Sequence, residues 1–522
     1  MLSLLLAVQI AALDRAEPAP VHDALHYRVA ISLPDTGRLI AGEVTTDWLL
    51  RGPELLRMDL DSTMRVARVM LGTRAIIWER DGNQLILYPN GEKGDTVRTV
   101  VSYRGEAVDG LIIGSAPDGS RTFFADNWPN RARRWFPSHD HPADKATVEF
   151  EVEAPRGLGV IANGTALSVD TVPESGGRTR WRYREQIPIP VYTMVIGAAR
   201  FSVTPLAPAA CELACVPLAL WTYPADSAYA VSGPFRRAGD MIDYFASLLG
   251  PFPYGRLTHV ESSTIFGGME NATAIFYSAA AYGEHRLSEQ TVAHETAHQW
   301  FGDAVTPRSW DHLWLSEGFA TYLAALWQGH ADGPQAFYAA LDQARARVVA
   351  SPGALEPIIP DTLPDNLLAL LNSNTYQKGA WVLHSLRGLV GDSIFFAGLR
   401  SYQERFHHAT ATSADFRAVM EEVSHRDLGW YFDQALHQGG YPRILVGWTY
   451  DAAARELTVT VTQQQSHGFF RLPGFEVALD DRVVTLDVSG PQATLVVPDV
   501  DRPPVRVVPD PHVWWLLERH VQ

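Results

Sequence analysis

The feature of this 522-residue sequence that most restricts its fold is that its apolar residues change period twice. From His26 to about Thr204, runs such as HYRVAISL, GEVTTDWLL, TVRTVVSYR and ATVEFEVEAP alternate apolar and polar residues between Gly, Pro and Asp signals. Period two lays one side of each run on a core, and many such runs in succession predict an antiparallel β domain. From Gly233 the spacing becomes i, i+3, i+4, as in PFRRAGDMIDYFASLLG, LSEQTVAHETAHQWFG, LWLSEGFATYLAALWQG and FYAALDQARARVVA, and these runs read as helices. Helical character continues through GAWVLHSLRGLV and SADFRAVMEEVS to about Gln438. After GGYP (439–442), RILVGWTYD, ELTVTVTQ and ATLVVPDV return to period two and predict a short β-sandwich-like tail. Strands, then helices, then strands describe a multidomain α+β chain. The expected boundaries are an N-terminal β domain over 21–207, a mainly helical domain over 208–440 and a C-terminal β domain over 441–522.

A chain of this length can bury ample core without disulfide staples. Lys+Arg 43 against Asp+Glu 59 leaves a formal charge of −16, which argues against a nucleic-acid partner, whose binding rests on Lys and Arg neutralising phosphates. The same balance discourages a polybasic membrane-surface role. Only Lys93, Lys145 and Lys378 are lysines, so the basic residues are otherwise arginine. A position that stays lysine against such a skew is a candidate for needing lysine, with chance as the bland alternative.

Leu2 to Leu13 form a mostly apolar run, too short to span a bilayer but suited to the core of a signal peptide within residues 1–20. A basic segment before it and a clean cleavage site are missing, and the alternative is a buried first strand. Export to the periplasm or outside the cell is expected, with the cytoplasm as alternative. No other stretch reaches 18 apolar residues, so no transmembrane helix is expected. Two cysteines, Cys211 and Cys215, exclude a disulfide scaffold; in an oxidising compartment they either close one small loop or remain thiols.

TVAHETAHQW holds the pattern H-E-x-x-H as His294, Glu295 and His298. Four helical residues turn about 400°, so the two imidazoles leave one face a turn apart, as two ligands of one ion must. Glu295 lies beside them, within reach of a water and outside the ligand set. Nineteen positions after His298, WLSEGFA places Glu317 near the start of the next helix. Two neutral imidazoles and a carboxylate suit a single catalytic Zn2+ with a fourth position open, whereas a structural zinc takes four protein ligands. Alone, Glu317 would read as a solvated helix acid.

With FPSHDHPADKA (136–146), GGMEN (267–271), HETAHQWFGD (294–303), WDHLWLSEGFATY (310–322) and YQKG (376–379), the sequence resembles the aminopeptidase N family of gluzincin metallopeptidases, which includes the leukotriene hydrolases. The likeness covers roughly residues 120–440 well and implies a thermolysin-like, mainly helical catalytic domain. It implies zinc on His294, His298 and Glu317, with Glu295 as general base toward water. It implies Glu270 as the partner of a peptide's free α-amino group, with Gly267, Gly268 and Met269 offering backbone to an extended substrate. It implies Tyr376 as a donor to the oxyanion of the tetrahedral intermediate. The expected activity is hydrolysis of the N-terminal peptide bond; an endopeptidase, an epoxide hydrolase or an inactive binding scaffold are the alternatives. Read without the resemblance, Glu270 is a loop acid and Tyr376 one of 18 tyrosines. His139, His141 and His384 are expected to be structural or exposed, and the N-A-T sequon at Asn271 to be accidental.

The sequence departs from the family in four places. Ala324 stands seven residues after Glu317 where many relatives have glutamate, and Asp303 where asparagine is usual, so the shell around the ligands is expected to differ. Near DNWPNRAR only Asp126 and Asn127 are candidates for the N-terminal-domain residue that helps hold the substrate amine. About 80 residues follow Gly440; the large helical C-terminal domain of many relatives is therefore not expected.

Overall fold

The computed structural model describes residues 19–173, 176–208 and 215–522. The Leu2–Leu13 run and Cys211 lie outside these residues, and with them the expectations placed on both. The architecture is multidomain α+β: a β-rich N-terminal region, a helical middle region and C-terminal strands. By contacts the chain forms two compact units, residues 1–316 with 363–370 and 399–416, and residues 317–362 with 371–398 and 417–522.

The first unit is built on an eight-stranded sheet. Its strands are β1 (Asp23–Ser32), β2 (Leu39–Leu49), β3 (Arg65–Leu71), β4 (Arg74–Ala75), β5 (Thr96–Glu106), β6 (Lys145–Ala154), β7 (Thr165–Val172) and β8 (Arg178–Pro190), in the order β7-β8-β6-β1-β2-β5-β3-β4. Alternation decides the faces: along β6, Ala146, Val148, Phe150, Val152 and Ala154 are buried and the residues between them are not. Val29 of β1 sits in register between Val44 of β2 and Phe150 of β6, so three apolar side chains meet on the core face. One pairing departs from the expected antiparallel pattern, since β1 and β6 run parallel. Period two reports which face is buried and is blind to strand direction.

The helical region also holds strands that its apolar spacing does not announce. β9 (Ser202–Pro205), β10 (Leu218–Thr222), β11 (Leu257–Ser262), β12 (Gly268–Met269) and β13 (Ala274–Ser278) form a mixed sheet in the order β9-β10-β11-β13-β12. All six residues of β11 are buried, including His259 and Glu261, so the run shows no alternation to read. Within the same unit, α1 (Ala238–Leu249) and α2 (Glu289–His298) follow the predicted helices.

α3 begins in the first unit at Trp314 and runs to Asp332, passing into the second unit at Glu317. The second unit adds α4 (Pro334–Ala350) and α5 (Gly379–Val390). Its C-terminal strands are β14 (Arg443–Asp451), β15 (Glu456–Gln463), β16 (Leu472–Leu479), β17 (Arg482–Val488), β18 (Gln492–Val497), β19 (Val507–Pro509) and β20 (Glu518–Val521). They form two sheets, β18-β15-β14-β20 and β17-β16-β19. Among the described residues no helix is long and apolar enough to cross a membrane.

Candidate active site

Helix α2 is started by Ser288, whose Oγ accepts the Thr291 N–H at 3.1 Å, with Glu289 in the first turn. Arg237 pairs with Glu289 at 2.7 Å and ties this end of the helix to the segment before α1. At the other end His294 and His298 lie one turn apart, their Nε2 atoms 3.1 Å from each other. Two neutral imidazole nitrogens do not face at that distance without a proton or a cation between them. Nitrogens each about 2.0–2.1 Å from one tetrahedral zinc would lie roughly 3.3 Å apart.

The tautomer of His298 is set from behind. Its Nδ1 lies 3.0 Å from the Phe301 carbonyl and 3.0 Å from Ser316 Oγ. A carbonyl only accepts, so Nδ1 carries the proton and Nε2 keeps its lone pair for the cation. Gly302 makes room for this arrangement: it has φ +126°, and a Cβ there would lie 2.5 Å from Ser316 Oγ. Behind His298 the support is thus a carbonyl and a serine, and Ala324 is buried.

Glu317 follows Ser316 in the first turn of α3, so the residue that buttresses His298 also sets where this carboxylate stands. The ligand atoms of His294, His298 and Glu317 all lie within 4.8 Å of one another. Donor chemistry, tautomer and spacing fit a metal ion such as zinc.

Glu270 follows the two-residue strand β12, which pairs with β13 as Gly268↔Tyr277 and Met269↔Phe276. β12 is the edge of its sheet, and an edge strand presents unpaired N–H and C=O groups that an extended chain can join. Gly268 lies against Glu295, and a Cβ at Gly268 would overlap the Glu295 carboxylate. Carboxylate oxygens of Glu270 and Glu295 and a ring nitrogen of His298 again lie within 4.8 Å of one another. Both acids are about 5% exposed. Two carboxylates buried this close favour a cation between them.

The loop carrying Glu270 is held on several sides by buried polar groups of the same unit. Gln299, next after His298, donates to the Glu270 carbonyl at 3.0 Å and to Asp303 Oδ2 at 2.7 Å, while its Oε1 accepts Thr273 N–H at 2.9 Å. Asn163 donates to Ala272 O at 2.6 Å, and Gly164 N–H donates to Thr273 Oγ1 at 2.7 Å. Burial, with the nearby Glu270 charge, pushes the Asp303 carboxyl well above its usual range. Lys145 is spent on backbone, donating to Asp303 O at 2.7 Å and Ala304 O at 2.9 Å, and burial lowers its ammonium to about 7.

Asp126 and Asn127 do not fill the place offered to them as holders of the substrate amine. Both are fully buried. Asp126 pairs with Arg131 at 3.0 Å and accepts Ile265 N–H at 3.1 Å, and Asn127 donates to Met194 O at 2.6 Å and accepts Trp135 Nε1–H at 2.8 Å. Asp126 instead anchors the loop that leads into β12. His139 is buried beside Asp144 at 2.8 Å, and His384 is buried with its Nε2 2.9 Å from Val513 O. Asn271 is wholly buried, which leaves no room for a glycan.

Tyr376 lies in the second unit, partly exposed, on a five-residue π-helical turn (Asn374–Lys378) that leads into α5. Asn374 locks that turn by donating to Gly353 O at 2.7 Å and Glu356 O at 3.1 Å. Gly318, next to Glu317, faces Gly379, where a Cβ would come within 2.9 Å of the backbone, so α3 and the start of α5 meet backbone to backbone. Sequence reasoning missed Gln299, Gly302 and Ser316 as supports. Gln299 and Gly302 lie inside the motif segment itself, but nothing local says what they face.

Residues 235–434 match the family model described as the Peptidase family M1 domain. Probable aminopeptidase 1 of Sulfurisphaera tokodaii is 25% identical over 84% of this chain and 56% of its own length. Leucine aminopeptidase 2 of Eremothecium gossypii is 27% identical over 78% of this chain and 67% of its own. Aminopeptidase N of Streptomyces lividans is 32% identical over 57% of this chain and 36% of its own. The chain thus spans from about a third to two thirds of the relatives it matches. Residues 235–434 are similar to a peptidase family M1 domain, and the relatives that match the chain are aminopeptidases by name.

Proposed function

We propose that this protein is a zinc-dependent aminopeptidase that hydrolyses the first peptide bond of substrates with a free N-terminus. The observation that carries the reading is the juxtaposition of an open strand edge at Gly268–Met269 with the paired carboxylates of Glu270 and Glu295 beside His298. A peptide added to the edge has its direction set by main-chain hydrogen bonds. Its α-ammonium supplies the positive charge that Glu270 favours, and a chain continuing past Glu270 would place an uncharged amide there instead.

His294, His298 and Glu317 would hold the zinc, which when bound polarises the scissile carbonyl and makes water a better nucleophile. Glu295 takes the proton of the attacking water and returns it to the leaving amine. Its carboxylate is kept in place by contact with Gly268. Tyr376 donates to the oxygen on which charge develops. Support for Tyr376 is the YQKG motif and its place on the turn entering α5, whose first residue lies against Gly318. A panel of aminoacyl-anilides and matching N-acetylated peptides tests the reading. Free-amine substrates should be cleaved, chelator should abolish the activity, and acetylation should remove it; equal cleavage of blocked peptides overturns the exopeptidase assignment.

Export is part of the same proposal, supported by the Leu2–Leu13 run alone. Fractionation of expressing cells with N-terminal sequencing of the product checks it.

A further inference from the structure

The second unit contains a cavity of about 60 Å³ that no step of the proposed hydrolysis uses. Its wall is apolar and aromatic, with Trp381, Tyr431, Phe470, Leu472 and Trp515 around the side chain of Lys378. Among the described residues that line it, Lys378 is the one charged side chain and no acid is present. Lys378 is 5% exposed, and its ammonium makes one long hydrogen bond, to Glu356 O at 3.3 Å. Burial alone lowers it to about 8, with no carboxylate opposing, so it is charged at neutral pH. A buried ammonium with donors left over is costly unless something supplies an acceptor.

The other polar side chains on the wall are those of Tyr431, Ser385, Trp381, Gln434, Gln438 and Tyr441. Tyr431 OH and Ser385 Oγ already donate to Val382 O at 2.6 Å and Trp514 O at 2.8 Å. The Nε1–H of Trp381, a residue 1% exposed, is buried without a partner among the described residues. Gln434 donates to Arg471 O at 3.3 Å and accepts the Arg471 N–H at 2.6 Å, and Gln438 donates to Phe469 O at 3.4 Å, so the wall carries one positive charge, the Trp381 N–H and neutral groups that can only add single hydrogen bonds. That combination suits a single negative charge on a small apolar body: a second charge would find no partner, and a cation would meet Lys378. A space of this size holds roughly two waters or a chain of two to four carbons.

We propose that this cavity binds a short-chain monocarboxylate, with the carboxylate on the Lys378 ammonium and the hydrocarbon tail against Trp381, Phe470 and Trp515. The pairing is charge-assisted on both sides, which makes it stronger than a hydrogen bond between neutral groups.

Calorimetric titration of the full-length, zinc-loaded protein with sodium butyrate, against sodium chloride and butyramide, tests it. Butyrate should saturate one site and butyramide should not. Affinity should fall as pH rises through about 8, because the lysine loses its charge there. Lys378→Met should weaken binding by at least about tenfold, the value of a charged hydrogen bond. Ala435→Phe, which leaves Lys378 in the chain and takes up cavity space, should do the same and keeps the test available if the lysine variant does not fold. A carboxylate bound at the zinc instead would keep its affinity in both variants. That outcome, no saturable binding, or equal binding of butyramide overturns the proposal. None of these readouts depends on peptide hydrolysis, so the failure of one proposal is distinguishable from the failure of the other.

Discussion

The turn that carries Glu270 and the turn that carries Tyr376 are held in place by different means. In the first unit, Glu270 is fixed by side chains reaching from far along the chain. Asp126 holds Ile265, Asn163 holds Ala272, and Gln299 holds Glu270 itself. In the second unit, Tyr376 sits on a turn locked by Asn374 and entering a helix that meets α3 through Gly318 and Gly379. Buried polar tethers are directional and fail one at a time when a donor is removed. Glycine contacts between backbones fail as steric overlap, which shifts whole elements. The residue proposed to read the substrate's terminus is thus tuned by remote hydrogen bonds, and the one proposed for the transition state by packing.

Four experiments break or sharpen that contrast, in decreasing order of effect. Glu295→Gln should lower kcat by about 10²–10⁴-fold with zinc content unchanged by metal analysis, since only the proton acceptor is lost. Retained turnover would dismiss Glu295 as the base. Tyr376→Phe should lower kcat by roughly 10²–10³-fold with little change in KM, the signature of a donor that acts on developing charge. A rise in KM alone would move Tyr376 to substrate binding.

Asp126→Asn weakens the acceptor of Ile265 N–H and uncouples Arg131. It should raise KM for free-amine anilides by about tenfold with a smaller change in kcat, because the loop before β12 loses its tether. An unchanged KM would mean that the remaining tethers suffice.

The last experiment reads stability, on a scale separate from the three kinetic effects. Burial raises the Glu261 carboxyl from 4.5 to about 9. The folded state then keeps a proton that the unfolded chain releases, so stability falls as pH climbs from about 4.5 toward 9 and levels off above. The limiting slope is about 1.4 kcal/mol per pH unit. Glu261→Gln should flatten this decline in denaturant titrations at pH 5, 7 and 9; an unaltered pH profile would assign the slope to other groups.

Much of the fold was legible because period and spacing are local. Alternation along Lys145–Ala154 fixed which side chains face the core, and the spacing of His294 and His298 fixed that they share a helix face. Strand β11 was hidden because burial on both sides erases alternation. Asp126 was no more than a candidate for holding the substrate amine because sequence does not say whether an acid points outward or, as here, inward to Arg131.

Donor identity, helix phase and the order of the motifs were settled along the chain, by chemistry that acts over one or two turns. What awaited folding was convergence. Glycine at 268 leaves room for the Glu295 carboxylate, glycine at 302 lets Ser316 reach His298, and the edge position of β12 leaves backbone open to a peptide. These depend on contacts between segments distant along the chain, and spacing within a motif carries no information about them.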